Sequence, residues 1–208
     1  MLKVGITGGI GSGKTTVCKI FQTLGIPIYY ADDEAKKLYD TDAEMKQEII
    51  AHFGEGVYKN NYFDKDALRE IVFNDIGKLK LLNSIVHPRV KKQADEWMQK
   101  QTAPYAIKEA ALMIESASNL SLDKLILVSC PLDKRIVRVI KRDHTSHDEA
   151  MNRANKQTTD EEKRKFCDYE IINDDEHLVI PQVLKLHEEL LKRCQMPVVG
   201  CQVDDLKK

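Results

Sequence analysis

The chain has 208 residues, 42% of them hydrophobic and 31% charged, and its 32 Lys plus Arg against 33 Asp plus Glu leave a net charge of −1. That is a globular composition at a length for one elaborated domain, large enough to bury a core without disulfide or metal staples. It excludes the broad basic field that draws nucleic acid, and no run reaches the ~18–20 apolar residues of a membrane span.

Leu2–Thr7 is rich in branched residues and reads as a short buried strand. A Gly-rich turn follows. Val17, Ile20, Phe21 and Leu24 give Thr15–Leu24 a helical spacing, and Gly25 stops it. Ile26–Tyr30 is a second strand, so the chain opens as a βαβ unit and a parallel sheet is expected. From Asp32 to Gln101 the pattern is mostly helical, over Asp32–Tyr39, Ala43–Phe53, Asp66–Phe73, Asp75–Val86 and Pro88–Lys100. Gly54–Gly56 and Lys59–Tyr62 read as a loop or small hairpin between them. Seventy residues of helix between core strands predict an inserted subdomain over 32–101.

Tyr105–Lys108 and Leu125–Ser129 are the next strands, and Leu132–Arg142 returns to helix. Residues 141–165 hold seven Lys or Arg and six Asp or Glu, with only Ala150, Met151 and Ala154 apolar. Such a segment is expected to be an exposed, mobile lid. Glu170–Ile172 is a last strand and Glu176–Cys194 a closing helix, with 196–208 as a loose tail. The expected core is therefore 1–31 with 102–140 and 166–195. Cys18, Cys130, Cys167, Cys194 and Cys201 are scattered without a CxxC pair. They read as reduced thiols, and Met1–Gly5 carries no charged-then-apolar leader, so a cytoplasmic location is expected.

Gly8-Gly9-Ile10-Gly11-Ser12-Gly13-Lys14-Thr15 fits G-x-x-x-x-G-K-[ST] at every fixed position and holds four of the ten glycines. Backbone N–H groups that turn inward around a phosphate need conformations that glycine takes cheaply. The helix that follows aims its positive end at the same anion. Lys14 would neutralise the outer phosphates and the Thr15 hydroxyl would ligate Mg²⁺. Nucleoside triphosphate binding is the reading, and the reaction needs further evidence.

A GTP switch is disfavoured. No Asp has a Gly three residues later, and Asn155-Lys156-Gln157-Thr158 lacks the Asp of a guanine-reading motif. No apolar run ends in the Asp-Glu pair of a large ATPase. Small size, a helical insertion and an Arg-bearing lid fit a small-molecule kinase, whose chemistry must exclude water. Another small-molecule or nucleoside monophosphate kinase, or an NTP-binding module without turnover, stays open here.

Several residues are candidates beside the loop. Asp32 lies just past a strand end, as a base for an acceptor hydroxyl or as a helix N-cap. Arg138 and Arg142, four apart, share a helix face, with Arg135 less firmly on it. Each cation could meet a transferring phosphate or simply face solvent. Arg153 lies within the lid. Glu109 is a further candidate for the Mg²⁺ shell, Glu115 an orderer of its loop, and Asn173 an adenine contact or a turn former. His87-Pro88 reads structurally as the start of a helix with Pro in its first turn.

Together these segments resemble the dephospho-coenzyme A kinase family. Thr7-Gly8-Gly9-Ile10-Gly11-Ser12-Gly13-Lys14-Thr15-Thr16-Val17 is close to its Thr-Gly-Gly-Ile-Gly-Ser-Gly-Lys-Ser-Thr-Val signature. Tyr30-Ala31-Asp32 matches its Asp-Ala-Asp, with Tyr30 in place of the first Asp. His87-Pro88, Ala111-Leu112-Met113-Ile114-Glu115, Arg138 with Arg142-Asp143, Arg153 with Gln157, and Asp168 to Asn173 match further motifs in the family's order. Ala111 replaces a Pro, and Arg135 stands where the family often has Gln.

The resemblance implies an α/β P-loop NTPase core, a parallel β-sheet flanked by helices, with an inserted helical subdomain for the substrate and a lid. The implied reaction moves the γ-phosphate of ATP to the ribose 3′-hydroxyl of dephospho-CoA, with Mg²⁺ as cofactor. It favours Asp32 as base, Lys14 and Arg142 as catalytic cations, and His87 and Arg153 as acceptor contacts. Gly9, Gly11, Ser12, Gly13, Lys14, Thr15, Thr16, Arg138 and Asn173 would hold ATP.

Overall fold

Leu2–Thr7 forms β1 and leads through the glycine-rich turn into α1 (Lys14–Thr23), then β2 (Ile28–Tyr30). The helical stretch comprises α2 (Ala31–Thr41), α3 (Ala43–Phe53), a short hairpin of β3 (Tyr58–Lys59) and β4 (Tyr62–Phe63), α4 (Lys65–Phe73) and α5 (Ile76–Gln99). β5 (Tyr105–Glu109), β6 (Lys124–Ser129), α6 (Leu132–Asp143), α7 (His147–Asn155), α8 (Asp160–Arg164), β7 (Tyr169–Ile172) and α9 (Val179–Gln195) complete the chain. This computed structural model describes residues 1–73 and 75–195. The tail at 196–208, with Cys201, lies outside the described residues.

The five long strands form one parallel sheet in the order β2-β5-β1-β6-β7. β1 is central, with β5 on one side and β6 on the other, so the turn after β1 opens where the winding order divides. That is the edge at which open parallel sheets receive ligands. Between sheet, α1 and α9 lies a core that includes Val4, Ile6, Phe21, Tyr105, Ile126 and Leu190, all fully buried. Phe21 meets Tyr105 edge-on at 6.3 Å. Each aliphatic side chain buried this way contributes about 1.5–3 kcal/mol.

The insertion has an apolar centre of its own, which includes Leu38, Met45, Ile49, Val57, Leu68 and Ile85. Asp42 caps α3 by accepting from the Met45 N–H at 2.9 Å, and Asp75 caps α5 through Lys78 in the same way. Asn60 and Asn61 both take positive φ, as a two-residue hairpin turn requires, and Asn tolerates that conformation.

Two expectations need correction. Pro88 does not divide two helices; it lies inside the continuous 24-residue α5. Leu82, Ile85 and Val86 anchor that helix in the insertion, while Ala94 packs under the sheet beside Tyr29. Packing at both ends outweighs the hydrogen bond that proline cannot donate. Beside that gap the Arg89 guanidinium donates to the Ile85 carbonyl at 2.9 Å and also holds Glu48. His87 therefore sits in the helix interior and opens no helix.

The segment 141–165 is also less exposed than its composition implies. Ala150 is fully buried against Ile136 and Val139 of α6, with Met151, Ala154 and Ile10 around it. Asp160 and Lys163, three apart on α8, both point inward, and Lys163 is 0% exposed. Capping boxes at Ser146 and Glu149, and at Thr159 and Glu162, start α7 and α8.

Candidate active site

The turn after β1 is shaped by glycine. Gly11 has φ 78° and Gly13 has φ 94°, a region costly for other residues. A Cβ on Gly11 would come within 2.4 Å of the Arg135 carbonyl oxygen, and one on Gly13 within 2.1 Å of Asn173 Nδ2. The loop is thus fixed by close approach of its neighbours as well as by its own torsions. Gly11→Ala is expected to weaken ATP binding at least about tenfold, since the strain alone is of order 1–2 kcal/mol and backbone must also move. Calorimetric titration with ATP checks this, and unchanged affinity would show that the loop is not the phosphate cradle.

Lys14 is buried, and its Nζ donates to the carbonyls of Gly8 at 3.1 Å and Gly9 at 3.3 Å. Glu109, the last residue of β5, brings Oε1 to 4.0 Å from that Nζ. Burial pulls the Lys14 pKa down, while Glu109 and then Asp32 push it back up and Lys163 opposes them. The Glu109 pKa is raised by burial first, against the pull of Lys14, and Asp32 raises it further. Lys14, Glu109 and Asp32 are therefore one electrostatic cluster at the mouth of the loop.

Asp32 does not cap α2. The N-cap is Tyr30, with no side-chain cap bond, and Asp32 lies in the first turn. Asp33 pairs with Lys36 at 2.7 Å, whereas the exposed Asp32 carboxylate has no hydrogen bond or ion pair among the described residues. The Tyr30 hydroxyl donates to Gln22 Oε1 at 3.0 Å on α1.

Asn173, just past β7, donates its amide to the Ser12 carbonyl at 2.7 Å. Arg138 NH1 reaches the Gly11 carbonyl at 3.5 Å, and its NH2 pairs with Asp175 at 2.6 Å. Both brace the loop on its outer side. Thr15 and Thr16 are exposed on the first turn of α1, and Ser12 is buried with its Oγ unpartnered.

Lys163 escaped the sequence reading, which names Arg135 and Gln157 without their partners. The buried Arg135 lies against Gly9 and pairs with Asp160 at 3.8 Å. Lys163 donates to the Ala111 carbonyl at 3.0 Å and pairs with Glu115 at 3.4 Å. Gln157, noted only as a motif position, accepts from the Ile10 N–H at 2.7 Å. A capping box at Thr159 marked the start of α8, but nothing in a charged run tells which lysine turns inward.

Other expected site residues stand apart. Arg142 is exposed, with Nε and NH2 on its neighbour Asp143 at 2.7 and 3.0 Å. Arg153 holds the same Asp143 at 2.9 Å. His87, on α5, keeps much of its surface open, and partial burial of its ring and then the nearby Lys108 lower its pKa.

Oxygen donors at the mouth suit Mg²⁺: the Thr15 hydroxyl has no hydrogen bond among the described residues, and the Glu109 carboxylate lies beside Lys14. Among the described residues no three His, Cys, Asp or Glu gather to hold a metal unaided. Such a donor set fits a cation that arrives with phosphates.

The model of the dephospho-CoA kinase family matches residues 2–178. A dephospho-CoA kinase from Bacteroides fragilis is 37% identical over 186 residues, 89% of this chain and 91% of that one. A solved dephospho-CoA kinase from Campylobacter jejuni superposes with TM-score 0.69 at 28% identity, covering 92% of this chain and 98% of that one. A Thermus thermophilus structure gives 0.81 at 31% identity, over 90% and 96% of the two chains.

Proposed function

The chain belongs to the dephospho-CoA kinase family, and from that premise we propose how its residues divide the work of the reaction. The activity is ATP-dependent phosphorylation of dephospho-CoA in coenzyme A biosynthesis. Supporting the assignment of roles is one observation above others: Lys14, Glu109 and an unpartnered Asp32 share the mouth of the phosphate loop.

Lys14 leaves the Gly8 and Gly9 carbonyls and turns to the β- and γ-phosphates of ATP. Backbone N–H groups of Gly9, Gly11, Gly13, Lys14 and Thr15, at the α1 N-terminus, hold the triphosphate, while those of Ile10 and Ser12 are taken by Gln157 and Gly9. Asn173 and Arg138 keep the loop in shape beside the nucleoside. Asp32 orients the ribose 3′-hydroxyl and accepts its proton as the new bond forms; the transition state is loose, so the proton leaves late. Mg²⁺, taken by the Thr15 hydroxyl with Glu109 as second candidate, would supply neutralisation of phosphate charge.

Arg142 and Arg153 share Asp143 as a holding partner, and release from it lets Arg142 meet the transferring group while α7 covers the site from water. His87 lies on the acceptor side. The buried, separate thiols of Cys18 and Cys130 accord with the reducing cytoplasm in which we place the protein. No helix among the described residues is long and apolar enough to cross a membrane.

Coupled ADP formation with dephospho-CoA, AMP, pantetheine and water as acceptors tests the reading. Dephospho-CoA is expected to exceed AMP in kcat/KM by about 10² or more, since remote contacts raise discrimination. Phosphorus NMR of the product should place the new phosphate on the 3′-oxygen. Equal turnover of AMP would favour a nucleoside monophosphate kinase, and ADP formation with no acceptor would favour a nucleotide hydrolase.

A further inference from the structure

Lys108 is the one cation inside β5, and the reaction as described does not use it. Side chains alternate along a strand, so Lys108 faces away from Lys14 when Glu109 faces toward it. In register it pairs with Tyr29 of β2, whose hydroxyl donates to Gln93 on α5 at 2.9 Å. Lys108 therefore points between the sheet and α5.

It is 4% exposed, yet its ammonium has no hydrogen bond or ion pair among the described residues. Burying a charged lysine without a partner is costly. His87, Lys91 and Asp95 recur every four residues along α5, one face of the helix. All three lie close enough to act on Lys108 or to feel its charge: Asp95 supports it, Lys91 opposes it, and His87 is held below its usual pKa beside it. One carboxylate thus stands against two lysines. Burial is the first cause that lowers the Lys108 pKa, so the buried amine takes up its charge more readily when an anion comes beside it, one residue before β5 ends at Glu109.

We propose that Lys108, with Lys91, forms the subsite for the bridging diphosphate of the acceptor. This rests on the reading of dephospho-CoA as acceptor. Asp32 stands in the first turn of α2, just past β2, and Lys108 on the strand beside β2, so an adenosine whose 3′-hydroxyl meets Asp32 can extend its 5′-diphosphate toward α5. Alternation along β2 and β5 then divides the two anions. ATP phosphates lie on the Lys14 face and the acceptor diphosphate on the Lys108 face.

Lys108→Met keeps the alkyl stem and removes only the charge. Calorimetry with dephospho-CoA is expected to show affinity about 10–100-fold weaker, the loss of charge-assisted hydrogen bonds, with ATP affinity unchanged. The melting temperature should hold or rise, since a desolvated charge has gone. The two phosphorus resonances of bound dephospho-CoA should lose their shift in the variant. Lys91→Gln, an exposed change that leaves folding intact, should weaken dephospho-CoA about threefold or more and spare ATP, and it decides the matter if Lys108→Met fails to fold. Dephospho-CoA affinity within twofold of wild type in these variants overturns the proposal, as does a parallel loss of ATP affinity. Failure of the acceptor reading itself is distinguishable, because the unmodified protein would then not bind dephospho-CoA.

Discussion

Lys14→Met is expected to lower kcat/KM by at least about 10²–10³ without unfolding the protein. One preorganised charged donor is worth that much where charge develops in a transition state. The ammonium is buried against two loop carbonyls and one carboxylate, so no neighbouring cation can take its position unaided. Lys163 is nearby but is held by Ala111 and Glu115. Steady-state kinetics measures the loss, and turnover within tenfold of wild type would refute the assignment.

The same variant carries a pH signature. Glu109 already has a pKa above its usual 4.5, because burial outweighs the pull of Lys14. Removing Lys14 raises it further. The folded state then binds a proton that the unfolded state has released, so stability is highest near or below 4.5 and is lost as pH rises through the folded pKa. Denaturation midpoints of Lys14→Met relative to wild type should therefore fall from acid toward neutral pH. A flat difference across that range would mean the two groups are not coupled.

Asp32→Asn is expected to lower kcat by about 10²–10⁴ while leaving ATP affinity within a few-fold, the loss of a positioned proton acceptor. Its effect on stability should stay under about 1 kcal/mol, the worth of a first-turn acid at a helix dipole. The carboxylate caps nothing and makes no hydrogen bond among the described residues. Single-turnover kinetics and a thermal melt together separate the roles. Full kcat with a lowered melting temperature would return Asp32 to a structural function.

Local signals carried much of this into the sequence. The glycine spacing from Gly8 to Gly13 dictates the loop because torsion and close approach leave few alternatives. Branched residues announced β1, and the turn residues Asn60 and Asn61 fit the hairpin between Tyr58 and Phe63. Pro88 misled because a breaker is a local signal, whereas α5 is held by apolar contacts at both ends. The run 141–165 misled for a related reason. Composition cannot show that Asp160 and Lys163, three apart on a single turn, both face inward, nor decide between phosphate and solvent for Arg135, which pairs with Asp160. Lys108 gave no signal, because at the end of a short strand a lysine reads as a solvent-facing polar residue.

Because α5 packs its first half into the insertion and its second half under the sheet, it is a shared member of two apolar centres. Loosening either one exposes part of the same helix, and that cost is charged against the other. The acceptor side and the nucleotide side are thus linked through folding free energy, without any ligand present. A lineage carrying this chain could vary the solvent-facing positions of α3 and α4, but it could not excise or replace α5 without rebuilding the sheet's underside. What looks like an appended subdomain is, through one helix, part of the structural unit that holds the phosphate loop.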